Sequence, residues 1–191
     1  MNERSARGAI VRIGALLWER GLVAGTSGNL SVRLRNGSIL VTPSGRSLWD
    51  LRREDLVVVD AEGRPTGPGK PSSELPLHVA AYRARSDAAC VVHTHPTYCT
   101  AWSKTGRLFP LDTVGASESL GPIAFTRYAR PGSKELARRC SQAFAHGADC
   151  VVMERHGLSA VAATLQRAFE LTDLAEQTAK IEYCAATLEK R

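Results

Sequence analysis

Residues 5–20 carry Ile10, Ile13, Leu16 and Leu17 at helical spacing and meet a stop at Gly21, which predicts an amphipathic opening helix. Two short apolar segments follow, at 30–34 and 38–42, separated by Arg35, Asn36 and Gly37. The Asn-Gly pair is a strong hairpin signal, so these segments predict paired strands. Residues 56–60 predict a third strand, and the Gly- and Pro-rich stretch after it, up to Pro71, predicts a surface excursion. From Ser72 the period returns to helical: Leu75, Leu77, Val79, Ala80 and Tyr82 supply the buried side of a helix running to about Arg85, with Pro76 tolerated in its first turn. Residues 90–95 form a β-rich run, followed by a helix over 96–103 and a loop-rich stretch over 106–122. Strands are predicted at 151–154 and 158–161, on either side of Arg155, His156 and Gly157. Residues 164–188 keep helical spacing through Phe169, Leu171, Leu174, Ala175, Thr178 and Ile181. Helices before, within and after short strands define an α/β fold whose sheet is covered on both faces. No internal repeat, low-complexity tract or linker interrupts the pattern, and residues 1–191 are expected to form one domain.

An apolar content of 43% with 23% charged residues is enough for one sizeable core and excludes a disordered chain. Cys90, Cys99, Cys140, Cys150 and Cys184 are an odd number with no C-x-x-C pair. They suggest neither a disulfide framework nor a thiolate zinc site, and they fit a reducing compartment. No apolar run approaches the roughly 20 residues that cross a bilayer, and the first eight residues lack the apolar core of a cleavable signal. A cytoplasmic protein without a membrane partner is expected. The net charge is +6, but the basic residues are scattered and no aromatics are interleaved with them. That distribution argues against a nucleic-acid partner and leaves an anionic small molecule.

The chemistry-bearing residues are few. His93 and His95 lie two apart in a β-rich run, so both side chains point to one face while Thr94 points away, and that face can present two imidazoles to one ion. His156, beside Gly157 where the chain turns, can bring a third imidazole to the same sheet edge. His78 lies one helical turn after Glu74 within an apolar helix, which fits a core or supporting role. His146 sits in a polar turn and is expected to be solvated. Glu74 opens a helix beside Ser72 and Ser73. Its plain role there is to complement the helix dipole, worth about 0.3–1 kcal/mol; its chemical role would be proton transfer. The loop Gly25 to Asn29, the turn Pro43, Ser44, Gly45 and the pair Ser72, Ser73 offer hydroxyls and backbone N–H groups of the kind that wrap a phosphate.

The ordered set GTSGNLSVR at 25–33, TPSG at 42–45, PSSE at 71–74, VVHTHPTYCTA at 91–101 and ERHGL at 154–158 resembles the class II aldolase/adducin family, in particular its fuculose-phosphate aldolase branch. The resemblance spans nearly the whole chain. It implies a mixed, mostly antiparallel central sheet between helical layers, assembled as a homotetramer with sites near subunit interfaces. It implies that His93, His95 and His156 bind a divalent metal, zinc or another ion such as cobalt or manganese, and that Glu74 is the catalytic acid/base. Gly28, Asn29, Ser44, Gly45, Ser72 and Ser73 match the family's substrate and phosphate contacts. The implied reaction is retro-aldol cleavage of a ketose 1-phosphate to dihydroxyacetone phosphate and an aldehyde through a metal-stabilised enediolate. Elementary chemistry agrees: three neutral nitrogen ligands leave a coordination position open for Lewis-acid work, and a partly buried carboxylate is basic enough to move a proton near neutral pH.

Departures from the family pattern keep other readings open. The family's mid-chain tyrosine has no counterpart at Asp112, Thr113 and Val114, and a second one, in a C-terminal tail, has none after the last predicted helix. A neighbouring subunit, Tyr98 or Tyr128 would then complete the pocket. The stretch Tyr128 to Gly132 resembles the R-P-G of related tetronate-phosphate decarboxylases, in which Arg130 could hold a substrate carboxylate. The alternatives are therefore a 3-oxo-tetronate-phosphate decarboxylase or a methylthioribulose-phosphate dehydratase on the same scaffold. A non-catalytic interaction domain like the adducin head is disfavoured by the retained histidines and glutamate.

Overall fold

A computed structural model describes residues 1–189. Helix α1 (Glu3–Glu19) starts where Asn2 Oδ1 accepts the Ser5 N–H at 2.9 Å, and it buries Ala6, Ile10, Ile13 and Leu17 completely. Strands β1 (Asn29–Arg33) and β2 (Ile39–Val41) pair across the expected turn, in which Gly37 takes a φ of +85°. Strand β3 (Val57–Val59) follows, and the excursion from Ala61 to Pro71 runs over the surface. Next come α2 (Leu75–Ala84), β4 (Cys90–Thr94) and α3 (Thr97–Ser103). The stretch expected to be loop-rich holds a π-helical turn at Ala116–Leu120.

Two further elements add to those predicted: β5 (Ile123–Thr126) and α4 (Lys134–Ala145). Ser133 caps α4 by accepting the Leu136 N–H at 3.1 Å, and Leu136, Ala137, Cys140 and Phe144 form its buried stripe. The chain closes with β6 (Cys150–Met153), β7 (Gly157–Ala162) and α5 (Leu165–Leu188), whose N-cap is Thr164.

The seven strands run in the order β3-β2-β1-β4-β7-β6-β5, antiparallel except for the parallel pair β5–β6. This is the mixed, mostly antiparallel sheet expected from the sequence. On one face, Leu77 and Tyr82 of α2 and Leu136 and Phe144 of α4 pack against Val91, Val151 and Val161. On the other, α1 covers Leu30 and Val92, while α3 and α5 with Phe109 cover Val152 and Leu158. All five cysteines are unpaired. No helix of the described residues is long and apolar enough to cross a membrane.

The β6–β7 hairpin has a three-residue loop, Glu154, Arg155 and His156, because Met153 pairs with Gly157. Arg155 takes a left-handed φ of +55°, the only non-glycine among the described residues to do so. Gly157 is needed for a different reason. A Cβ there would lie 2.2 Å from the carbonyl oxygen of Thr94 and 3.1 Å from the His95 ring, so β7 can approach β4 only without a side chain at this point. Gly157→Ala is expected to lower stability by about 2 kcal/mol or more in urea titration. A wild-type midpoint would mean that the strands part there at no cost.

Candidate active site

The sheet register sets the site. Asn29 stands opposite His93 in the β1–β4 pair, and Ser159 stands opposite His93 in β4–β7. His93 is fully buried, and its Nδ1–H donates to the carbonyl of Leu158 at 2.9 Å, which leaves Nε2 as the lone-pair nitrogen. That atom lies 3.0 Å from Nε2 of His95. His156, carried in by the hairpin, completes a triangle with ring centroids 4.8, 4.8 and 5.0 Å apart. One ligand atom from each ring falls within 4.8 Å of the others. Burial pushes all three imidazoles below the ordinary histidine range: His93 far below, His95 below, and His156 to about 4, with neighbouring rings reinforcing the shift for His93 and His156. All three are therefore neutral near pH 7, the state that ligates a metal. His156 Nδ1 is buried without a protein partner.

Glu74 is the residue before α2 and is 6% exposed. Its side chain makes no capping bond, so complementing the helix dipole does not account for its burial. Burial pushes its pKa up to about 7, against the opposing pull of the Gly132 backbone N–H. Oε2 is buried and unpaired. The backbone N–H of Glu74 donates to Ser72 Oγ at 3.2 Å, which fixes the turn that aims the carboxylate.

These four residues line one cleft of about 260 Å³ together with Gly28, Asn29, Ser44, Gly45, Ser72 and Ser73. Thr26, Ser27, Pro43 and Pro131 complete the wall. Gly28 holds a φ of +80° and presses against Val23, where a Cβ would meet Cγ1 at 2.4 Å, so this loop too needs glycine. No Lys or Arg is among the lining residues described, so donors to an anion would come from N–H and hydroxyl groups.

Several sequence candidates fall elsewhere. Arg130 is exposed and does not line the cleft, although its neighbour Pro131 does. Tyr98 packs against Tyr183 at 5.6 Å, and Tyr128 is exposed beneath the Arg155 guanidinium at 4.7 Å; neither ring reaches the cleft. His146 is exposed at the end of α4 and donates from Nδ1 to the Gln142 carbonyl at 2.6 Å. Two contacts hold the hairpin: Oγ of Ser103, which the sequence did not single out, accepts the Arg155 N–H at 2.9 Å, and Glu154 Oε2 accepts the Tyr128 N–H at 2.9 Å.

Fold and site together define an α/β protein built around a three-histidine cluster able to hold a metal. The chain belongs to the class II aldolase family: the family model described as Class II Aldolase and Adducin N-terminal domain matches residues 8–183. It is 34% identical over 180 residues to an L-fuculose phosphate aldolase of Methanococcus vannielii, covering 94% of this chain and 97% of that one. A 3-oxo-tetronate 4-phosphate decarboxylase of Haemophilus influenzae is 34% identical over 95% of this chain and 88% of its own. A 5-methylthioribulose-1-phosphate/5-deoxyribulose-1-phosphate aldolase of Rhodospirillum rubrum is 40% identical over 82% and 72%. Among solved structures, an L-fuculose 1-phosphate aldolase superposes with a TM-score of 0.89 at 31% identity, covering 98% of this chain and 88% of that one. The protein is an enzyme of the aldolase/lyase type.

The raised pKa of Glu74 has a stability consequence. Its ordinary value is 4.5 and its folded value about 7, so between these the native state holds the extra proton. The cost of ionising it in place therefore grows as pH rises through that window and is complete above about 7. In chelator-treated protein, Glu74→Gln is expected to be more stable than wild type by about 1–3 kcal/mol at pH near 8. The difference should vanish below about pH 4. Urea titrations of both proteins across this range would read it, and a pH-independent difference would contradict the shifted carboxyl.

Proposed function

We propose that the cleft cleaves a ketose 1-phosphate to dihydroxyacetone phosphate and an aldehyde. The observation that carries this reading is the buried carboxyl of Glu74, with Oε2 unpaired and a pKa raised to about 7, in the same cleft as three uncharged imidazoles. The relatives named as aldolases of fuculose and methylthioribulose phosphates support it, and the latter favours carbon–carbon cleavage over dehydration. His93, His95 and His156 would hold a divalent ion, zinc in this reading, with cobalt or manganese accepted by the same donors. When bound, that ion supplies Lewis acidity to the negative charge that develops on the ketose oxygens.

The rest of the chemistry falls to the protein's own groups. When the bond between the two halves breaks, its electron pair stays on the carbon next to the carbonyl. Glu74, protonated, delivers its proton to that carbon, and dihydroxyacetone phosphate results. The hydroxyl of the departing half loses its proton and becomes the aldehyde carbonyl. A pKa close to ambient pH suits a group that must give up this proton and recover it in each cycle. The phosphate is held by N–H and hydroxyl donors of Gly28 and Asn29, Ser44 and Gly45, and Ser72 and Ser73, which keep the reacting carbon in register.

The hydroxyl of the departing half needs a proton acceptor, and neither Tyr98 nor Tyr128 reaches the cleft. We assign that acceptor to a neighbouring subunit of a homotetramer in the cytoplasm, a compartment that suits five unpaired cysteines. A second reading, decarboxylation of a 3-oxo-tetronate phosphate, is favoured by the position of Pro131 in the cleft wall and by the H. influenzae relative.

Coupled assay of released dihydroxyacetone phosphate against ketose 1-phosphates tests the first reading, and carbon dioxide release from a 3-oxo acid phosphate would replace it with the second. Glu74→Gln is expected to keep ligand binding and lose turnover by on the order of 10²-fold or more. His156→Ala should lose both metal and turnover while staying folded by circular dichroism; unfolding would point to a structural metal instead. Light scattering is expected to give a tetramer, with specific activity falling on dilution through dissociation. A fully active monomer would defeat the shared pocket.

A further inference from the structure

His78 lies on α2 one turn beyond Glu74, is completely buried, and has no part in the chemistry above. Both of its ring nitrogens are engaged. Nε2 sits 2.5 Å from Oδ1 of Asn29, and Nδ1 sits 2.7 Å from Oγ of Ser31, which is 2.8 Å from the hydroxyl of Tyr82. An amide oxygen only accepts, so Nε2 carries the ring proton and donates it. A neutral ring then accepts at Nδ1 from the Ser31 hydroxyl, and the Ser31 oxygen accepts from Tyr82 O–H. Burial keeps the ring neutral, pushing its pKa down to about 3. Each donor in this buried row therefore has one acceptor.

The row ends at the cleft. Asn29 is 6% exposed, lines the cleft, and stands opposite His93 in the sheet. With Oδ1 taken by His78, its NH₂ group is the part left without a partner among the described residues. We propose that His78 is a positioning residue whose Nε2–H fixes the Asn29 amide so that its NH₂ faces the cleft as a donor to the substrate's phosphate. This rests on the reading of Gly28 and Asn29 as phosphate contacts. The device matters because an amide is two-faced. A half-turn about the side chain would present an acceptor oxygen to the phosphate and replace attraction with repulsion. A free rotor would have to be ordered on every binding event. In a cleft whose described lining holds no cationic side chain, the anion depends on how each neutral donor is turned.

The test uses metal-loaded protein, with dihydroxyacetone phosphate affinity read by calorimetry and metal content by elemental analysis. His78→Leu is expected to weaken binding about tenfold, the loss typical of one hydrogen bond to a charged group, with metal content unchanged. His78→Gln, which can donate to the same oxygen, should recover most of that affinity. In an Asn29→Ala background, His78→Leu should cost nothing further, because the two act through one contact. Weak binding by Asn29→Ala with normal binding by His78→Leu would overturn the positioning role and leave the phosphate reading standing. Wild-type-like binding by Asn29→Ala would remove both. Nitrogen-15 NMR of the wild-type imidazoles keeps the proposal open to refutation if His78→Leu does not fold. Protonation of His78 at Nε2 is expected, and protonation at Nδ1 would overturn it, because the Asn29 amide would then be turned the other way.

Discussion

The close approach of β7 to β4 at Gly157 is the constraint on which the site depends. It allows the Thr94 carbonyl to lie where any side chain would clash, and it thereby brings His156 level with His93 and His95. The same pairing places the Leu158 carbonyl against His93 Nδ1, so the strand contact that assembles the cluster also selects the tautomer of its most buried member. The hairpin pays for this with a left-handed Arg155, a conformation that costs a non-glycine residue about 1–2 kcal/mol. Ser103 Oγ and the Tyr128 N–H brace the loop from two sides, and such strain persists only where the surroundings over-determine it.

Desolvation does the electrostatic work. One cause, burial, moves the imidazoles down and the Glu74 carboxyl up, and both shifts discharge the groups near neutral pH. Neutral rings offer lone pairs, and a carboxyl with a pKa near 7 holds its proton loosely enough to give it away. The cost is visible in two buried atoms without protein partners, His156 Nδ1 and Glu74 Oε2, each worth about 1–3 kcal/mol when left unpaired. The extensive apolar clusters on both faces of the sheet offset that cost.

What could be read from the sequence followed period and punctuation. His93 and His95 were legible because a strand alternates sides, and His156 because a glycine turn followed it. The first five predicted elements matched for the same reason: the Asn36-Gly37 turn and the stripe of Ile10, Ile13 and Leu17 are local signals. Helix α4 carried as clear a local signal, a Ser133 cap and a stripe of Leu136, Cys140 and Phe144 opposite its arginines, and so was legible in the sequence although not among the predicted elements. Strand β5 is four residues at the sheet edge, held by a parallel partner 27 positions away, which no local pattern encodes. The Gly132 amide at Glu74, the Ser103 brace and the pairing of His78 with Asn29 likewise join residues 49 or more positions apart in sequence. Serines and glycines of the cleft were legible only as an ordered set, because each alone fits any loop.

The two reactions carried by relatives differ less than their names imply, and the cleft explains why. Cleaving an aldol and expelling carbon dioxide from a 3-oxo acid both leave an electron pair on the carbon beside a carbonyl, and both are completed by a proton delivered there. On the proposed reading, Glu74 and the histidine cluster would serve either reaction without change. Discrimination therefore rests on the departing half. An aldehyde leaves from a hydroxyl that needs a proton acceptor, whereas a carboxylate must be held as an anion, for which a guanidinium fork is the usual partner. Arg130 is exposed and outside the cleft, and no Lys or Arg is among the described lining residues.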